Sequence, residues 1–214
     1  MTNQESGMWH LKVISASTEA TICALRDAGL LDGFYLAGGT GLALQFGHRR
    51  SLDLDFFIPE HFEEDAFLQR LQVVDGFSLA AKAPYTLHAT VKEAKVSFLG
   101  YAYPVLFPAA PFQGVAVADP RDIACMKVSA IASHGTKRDF IDLYVCAQRY
   151  GLKDILGLFD RKYAKVDFSA LHILKSLTFF EDAEKDPMPH MLETIEWESV
   201  KQFFLGQAPR LVQT

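Results

Sequence analysis

Residues 35–57 read Y-L-A-G-G-T-G-L-A-L-Q-F-G-H-R-R-S-L-D-L-D-F-F. Phe34-Tyr35-Leu36-Ala37 has the apolar run of a short buried strand. Gly38-Gly39-Thr40 breaks that run, and Leu42, Ala43, Leu44 and Phe46 predict a short helix. Leu52 to Phe57 then alternates apolar and acidic residues, which predicts a strand of period two. On such a strand Asp53 and Asp55 share one face, and Leu52, Leu54 and Phe56 share the other. Two neighbouring carboxylates repel each other unless a cation sits between them. Mg2+ favours carboxylate oxygens together with substrate phosphates, which makes Asp53 and Asp55 candidate metal ligands. Alone, the D-x-D pattern is weak and reads first as a strand with a wet polar face. The glycines upstream sharpen the reading: they admit a ligand close to the backbone, and the helix after them offers free N–H groups and a partial positive charge. A phosphate cradle and a metal platform are thereby expected on adjacent strand ends.

Upstream, residues 9–28 predict a first helix with Ile14, Ile22 and Leu25 inward and a stop at Gly29. Pro59 to Val73 predicts another, burying Phe62, Phe67, Leu68 and Leu71. Strand-like pieces follow at 77–81, 87–91, 95–99 and 103–107, spaced as in an antiparallel meander. From Asp119 the pattern turns helical. Asp119-Pro120-Arg121-Asp122 combines a capping acid, a proline at the first helical position and an acid in the first turn. Thr136-x-x-Asp139 reads as a capping box. Further helices are expected near 152–160, 168–182 and 197–205. Strands first and helices later give an α+β class, divided into an α/β core at 1–118 and a C-terminal helical region at 119–214.

On the helix from Asp119, the residues Ile123, Lys127, Ala130, Ile131 and His134 fall on one face. A lysine within an apolar stripe is costly unless it is paired, bound to an anion or snorkelling along the surface. The anion reading aims the ammonium at phosphate as a point charge. Asp139 and Asp142 share a face of the next helix. Asp139 has a second explanation as the box acid, and Asp142, beyond the first turn, has none. An acid near Lys127 would hold the ammonium in place.

Composition narrows the classes. The chain has 214 residues, 50% hydrophobic and 22% charged, which excludes a mainly disordered protein. No apolar run approaches the roughly 20 residues of a membrane helix, so no membrane partner is expected. The N-terminus has neither the basic nor the apolar region of a secretory leader. Cys23, Cys125 and Cys146 form no CxxC pair, which disfavours disulfides or structural zinc and fits a cytoplasmic location. Net charge is -5, but the acids concentrate between Glu181 and Glu198, read as a solvated acidic surface. The remainder is near neutral, so the overall sign argues only weakly against a nucleic-acid partner.

Residues 35–57 resemble the first motif of the nucleotidyltransferase superfamily with the DNA polymerase beta-type fold. More closely they resemble the AbiEii/AbiGii toxin family, which pairs G-G/S-T with R-x-S/T-x-D-x-D. Residues 127–144, K-V-S-A-I-A-S-H-G-T-K-R-D-F-I-D-L-Y, resemble that family's later motif, K-x-x-A-I-x-x-R-G-x-x-K/R-D-x-x-D-L. The matches are Lys127, Ala130, Ile131, Gly135, Arg138, Asp139, Asp142 and Leu143; His134 stands where arginine is usual. The resemblance implies a nucleotidyltransferase fold with a mixed β-sheet flanked by helices and a C-terminal helical region completing the active site. It implies Mg2+-dependent transfer of NMP from an NTP to an acceptor, RNA such as a tRNA 3′ end, and a cognate antitoxin as partner. Carried over by residue, Gly38, Gly39 and Thr40 hold the triphosphate. Arg49 and Ser51 assist at the rim, and Asp53 and Asp55 carry the metal. Lys127 binds phosphate and is oriented by Asp142 or Asp139.

One departure bears on activity. Sites of this type normally add a third carboxylate on a neighbouring strand, and the strand at 95–99 offers Ser97. Glu93, or Asp139 and Asp142, are the acids available to replace it. The alternatives to a transferase acting on RNA are an inactive NTP-binding protein on the same fold and a transferase acting on a protein or small molecule.

Overall fold

The structure is a computed structural model that describes residues 9–166 and 168–212; residues 1–8, on which the leader reading largely rests, lie outside these. The chain divides into two compact units, one ending at Asp119 and one beginning at Pro120.

The first unit is built on a mixed seven-stranded sheet of order β3-β4-β5-β2-β1-β7-β6. Its strands are β1 (Tyr35–Leu36), β2 (Leu54–Ile58), β3 (Phe77–Ala83), β4 (Thr86–Val91), β5 (Ala94–Gly100), β6 (Ala110–Phe112) and β7 (Val115–Val117). The β2–β5 and β1–β7 pairs are parallel and the others antiparallel. Helices α1 (Ala16–Asp27), α2 (Gly38–Phe46) and α3 (Glu64–Leu71) accompany the sheet. Alternation decides the faces. Leu54 and Phe56, Val96 and Phe98, and Leu87 and Ala89 are buried, in a core shared with Ile22 and Leu25 of α1 and Phe67 and Leu71 of α3. Phe98 packs against both Phe56 and Phe67, with ring centroids 5.7 and 4.9 Å away; each such buried ring contributes about 1.5–3 kcal/mol. The intervening residues Asp55, Ser97 and His88 therefore lie on the opposite, polar face.

Two hairpins turn on two residues with positive φ. Lys92 and Glu93 (48° and 72°) join β4 to β5, and Gln113 and Gly114 (48° and 81°) join β6 to β7. That backbone matches strand twist, and the left-handed cost of about 1–2 kcal/mol per non-glycine residue is offset by the ladders it registers.

Several expectations are corrected. Residues 103–107 form no strand, because Pro104 and Pro108 supply no N–H to a ladder; β6 and β7 complete that edge instead. The first helix is interrupted: a 3-10 turn at Leu11–Val13 ends at extended Ile14, and Ser15 caps α1 by accepting from Thr18 N. Leu52, expected inward, is exposed because β2 begins only at Leu54. Helix α3 is shorter than 59–73.

The second unit contains α4 (Pro120–His134), α5 (Lys137–Tyr150), α6 (Leu152–Lys162), α7 (Ala170–Ser176), α8 (Glu181–Glu184) and α9 (Trp197–Val212). The single helix expected at 168–182 is thus two. Gly151, at φ 79°, ends α5 and starts α6, a backbone that suits glycine. Phe140 anchors an aromatic cluster with Phe180, Trp197 and Phe204. The acidic stretch is solvated as read, with Asp182 on Lys185, and Glu184 and Glu198 both on Lys201. No helix among the described residues is long and apolar enough to cross a membrane.

Asp122 has a larger role than a first-turn acid. Its carboxylate meets Lys162 Nζ at 2.7 Å, with side chains 2% and 1% exposed. Removing one member of a buried pair leaves a desolvated charge. Lys162→Met is expected to lower unfolding free energy by about 3–5 kcal/mol, read from urea denaturation, and Asp122→Asn in the same chain should return a large part of it. Equal stability of Lys162→Met and wild type would show that the pair carries no weight.

Candidate active site

Strand β2 organises the site of the first unit. Its antiparallel neighbour β1 sets Leu36 opposite Phe56, and Ala37 N donates to Asp55 O at 3.0 Å. The chain leaves β1 at Gly38 and starts α2 there, beside the Asp55 carboxylate. Gly38 has φ +60°, and a Cβ on it would lie 2.7 Å from Asp55 Oδ2. Only glycine fits, for both conformation and space. A Cβ on Gly39 would run into the Arg49 guanidinium and lie 3.2 Å from Ser51 Oγ.

The linker from α2 to β2 is tied underneath this turn. Gly47, at φ 75°, caps α2 in the left-handed conformation. Thr40 Oγ1 shares a hydrogen bond with Ser51 Oγ at 2.9 Å and donates to the Asp53 carbonyl. Arg49 donates to Arg50 O at 3.0 Å, and Ser51 N donates to Val13 O at 2.9 Å. Thr40, Arg49 and Ser51 are 1%, 2% and 8% exposed. Arg49 and Ser51 thus form the floor of the glycine turn, correcting the expected rim. His48, which precedes Arg49, is fully buried. Asp53 and Asp55 are half-buried and alternate with buried Leu54 and Phe56.

On the other side of β2, the parallel ladder registers Asp55 with Ser97. Ser97 therefore occupies the position beside the acid pair. The next ladder registers Ser97 with His88, and His88 Nδ1 lies 3.1 Å from Ser97 Oγ. Sequence reasoning found Ser97 but missed His88, which no spacing connects to the motif. Glu93 sits in the β4–β5 turn, four positions from Ser97, or about 13 Å along a strand. It does not supply a carboxylate beside Asp55.

The second unit gathers Lys127, Asp139 and Asp142. Lys127 Nζ lies 2.8 Å from Asp139 Oδ1 and 2.8 Å from Asp142 Oδ2, with the Asp142 side chain 0% exposed. Both readings of Asp139 hold at once. Its Oδ2 accepts from Thr136 Oγ1 at 2.6 Å and Thr136 N at 3.1 Å, completing the capping box, while Oδ1 binds the lysine. Burial pushes the Asp139 carboxyl up, but the charge and hydrogen bond of Lys127 and the Thr136 hydroxyl outweigh it, so its pKa is lowered. Burial pushes Cys125 up to about 12 and Cys146 well above the ordinary thiol value. A cavity of about 510 Å³ at the end of α4 is lined by His134, His172, Lys175, Thr178 and Phe179 among others.

The carboxylate pair suits a hard cation: magnesium takes one or two carboxylates and fills its other positions with water and phosphate oxygens. Among the described residues no group of three or more acids, histidines or cysteines forms a self-sufficient metal cage. A site that draws part of its ligand set from the nucleotide is compatible with that.

The mixed seven-stranded sheet flanked by helices is that of the nucleotidyltransferase fold. The family model for the nucleotidyl transferase AbiEii toxin, type IV toxin–antitoxin system, matches residues 22–101 and 96–213. The chain belongs to this family and is an enzyme that transfers nucleotidyl groups. It is 39% identical over 184 residues to an uncharacterised protein of Aquifex aeolicus (strain VF5), covering 82% of this chain and 86% of that one. The fold is similar to that of JHP933 from Helicobacter pylori (20% identity, TM-score 0.51, 94% of each chain). It is also similar to that of the nucleotidyltransferase toxin MenT4 of Mycobacterium tuberculosis H37Rv (15% identity, TM-score 0.53, 91% of this chain and 86% of that one).

Two outcomes are expected. Gly39→Ala should destabilise the fold by about 1–3 kcal/mol, because the buried Arg49 has no solvent to swing into; urea denaturation checks it, and an unchanged midpoint would contradict the packing. Asp139 has a folded pKa below its unfolded one, so its stabilisation is full above the ordinary aspartate value of about 3.9 and is lost as pH falls through the folded value. The stability difference between wild type and Asp139→Asn, followed by urea denaturation across that range, should therefore shrink on acidification.

Proposed function

We propose that the protein transfers NMP from an NTP to an RNA acceptor, such as a tRNA 3′ end, with Mg2+ at Asp53 and Asp55. The observation that supports this reading is the close approach of Gly38, the residue that opens α2, to the Asp55 carboxylate. The N–H groups of Gly38 and Gly39 receive the triphosphate, as helix N-termini receive anions generally. Thr40, Arg49 and Ser51 hold the turn in shape from below. Lys127 is assigned to phosphate, positioned by Asp139 and Asp142. Bound magnesium would neutralise charge on the attacked α-phosphate and the leaving pyrophosphate.

The family supplies two expectations about partners: an NTP as substrate and an antitoxin as counterpart. RNA is favoured as acceptor by the cavity beside His134. Lys175 and the His134 imidazole suit a phosphate, while His172 Nε2 is held by the Ala132 carbonyl at 2.9 Å, and the exposed Phe179 ring suits a base, as in single-strand recognition. Its lining acid, Asp182, is neutralised by Lys185 at 2.9 Å.

The test incubates the protein with each α-labelled NTP, Mg2+ and total cellular RNA, beside Asp55→Ala. Label on a discrete RNA species is expected with the wild type, and the variant should lose at least about 10²-fold in rate, the scale of a lost transition-state charge contact. Wild-type transfer by Asp55→Ala would remove the metal platform. Pyrophosphate release without labelled RNA would move the acceptor to a protein or a small molecule.

A further inference from the structure

The transferase reading leaves one job without a residue. An attacking hydroxyl must lose its proton, and a positioned base adds about 10²–10⁴-fold to such a step. Asp53 and Asp55 are assigned to the metal, Asp139 and Asp142 are engaged with Lys127, Ser97 stands where a third carboxylate would be, and Glu93 is displaced to a turn. We propose that His88 is this base and that Ser97 is its positioning residue, so that a serine–histidine pair replaces the missing carboxylate. The inference rests on the transferase reading given above.

Asp55, Ser97 and His88 form one row across three strands. Asp55 registers with Ser97 in the parallel β2–β5 ladder, and Ser97 registers with His88 in the antiparallel β5–β4 ladder. Registered residues of paired strands point to the same face. Here the alternate positions Leu54, Phe56, Val96, Phe98, Leu87 and Ala89 all enter the core, so the three polar side chains emerge together. Strands lie about 4.8 Å apart, which puts the imidazole on the order of 10 Å of sheet from Asp55, with Ser97 between. That span accommodates an α-phosphate near the acids and an incoming hydroxyl near the ring.

The ring is fixed at one nitrogen and open at the other. His88 Nδ1 lies 3.1 Å from Ser97 Oγ, while His88 as a whole is exposed. A neutral imidazole donates at one nitrogen and accepts at the other. With Nδ1–H donating to Ser97, the lone pair at Nε2 faces outward, and a hydrogen bond at one nitrogen is the usual means of setting the tautomer at the other. The next strand places Ala81 opposite His88, a small side chain that leaves the ring open to an acceptor.

The step balances. The acceptor O–H gives its proton to Nε2, its oxygen bonds to the α-phosphorus, and the bond from that phosphorus to the pyrophosphate oxygen breaks, with its electron pair leaving on pyrophosphate. The resulting imidazolium keeps its Nδ1–H bond to Ser97 and releases the Nε2 proton to water.

The experiment measures label transfer and pyrophosphate release for wild type, His88→Gln, His88→Asn and His88→Gln combined with Ser97→Asp, with thermal melts confirming that each is folded. His88→Gln and His88→Asn are expected to lower kcat about 10²-fold with the KM for NTP held within about twofold, the pattern of a lost base. Ser97→Asp in the His88→Gln chain is expected to recover at least about tenfold, because a carboxylate then stands beside Asp55. A wild-type kcat in folded His88→Gln and His88→Asn overturns the assignment, as does a loss confined to KM. A wild type that releases no pyrophosphate overturns the transferase reading and the base together, whereas an active wild type matched by both His88 variants overturns the base alone.

Discussion

Strand β2 has neighbours of opposite sense, and that constraint governs the first unit. Antiparallel β1 delivers Gly38 to one side of Asp55, and parallel β5 delivers Ser97 to the other. The glycine turn can approach only because it has no side chain; a Cβ would lie 2.7 Å from the carboxylate oxygen. The linker between α2 and β2 runs under that junction, where Arg49 and Ser51 are buried with Thr40 of α2 and held by side-chain and backbone hydrogen bonds. Residues that look like ligand contacts in the sequence are thus largely occupied in holding a backbone shape. The shape itself, a helix start opened by glycines against a carboxylate, is of the kind that suits anions and hard cations.

The second unit sets its helices with buried ions. Lys162 on α6 meets Asp122 on α4, and Lys127 on α4 meets Asp139 and Asp142 on α5. Desolvation makes such pairs poor sources of net stability, yet a helix that slid by one residue would separate them. Asp139 links this to local structure, since the carboxylate that closes the capping box also grips the lysine. Its neutralisation would therefore loosen both the start of α5 and its tie to α4.

The polar face of the sheet shows how a site can change its donor set without changing its frame. The buried alternate positions hold the strands in register whatever stands on the open face. A serine at position 97 therefore still arrives beside Asp55. What the open face then does depends on the next strand, where His88 is brought to hydrogen-bond distance of Ser97 by pairing and by nothing local.

Much of the frame was legible in the sequence. Period-two alternation at 52–57 gave β2 and the polar side on which Asp55 lies, and Gly-Gly after an apolar run gave the turn into α2. Thr136-x-x-Asp139 gave the start of α5. These signals are local, because they reflect backbone preference and the periodicity of one element. The sequence also misled where a local signal met a backbone constraint: prolines removed the strand expected at 103–107, and the Gln113–Gly114 turn, without Asn or Asp, hid β6 and β7. Tertiary structure alone decided which of the acids meet Lys127, that Arg49 and Ser51 lie under the glycine turn, and that Glu93 is remote while His88 is near. The reason is physical: strand order and register bring together residues that chain spacing leaves unrelated, and burial determines which side chains remain available to a ligand.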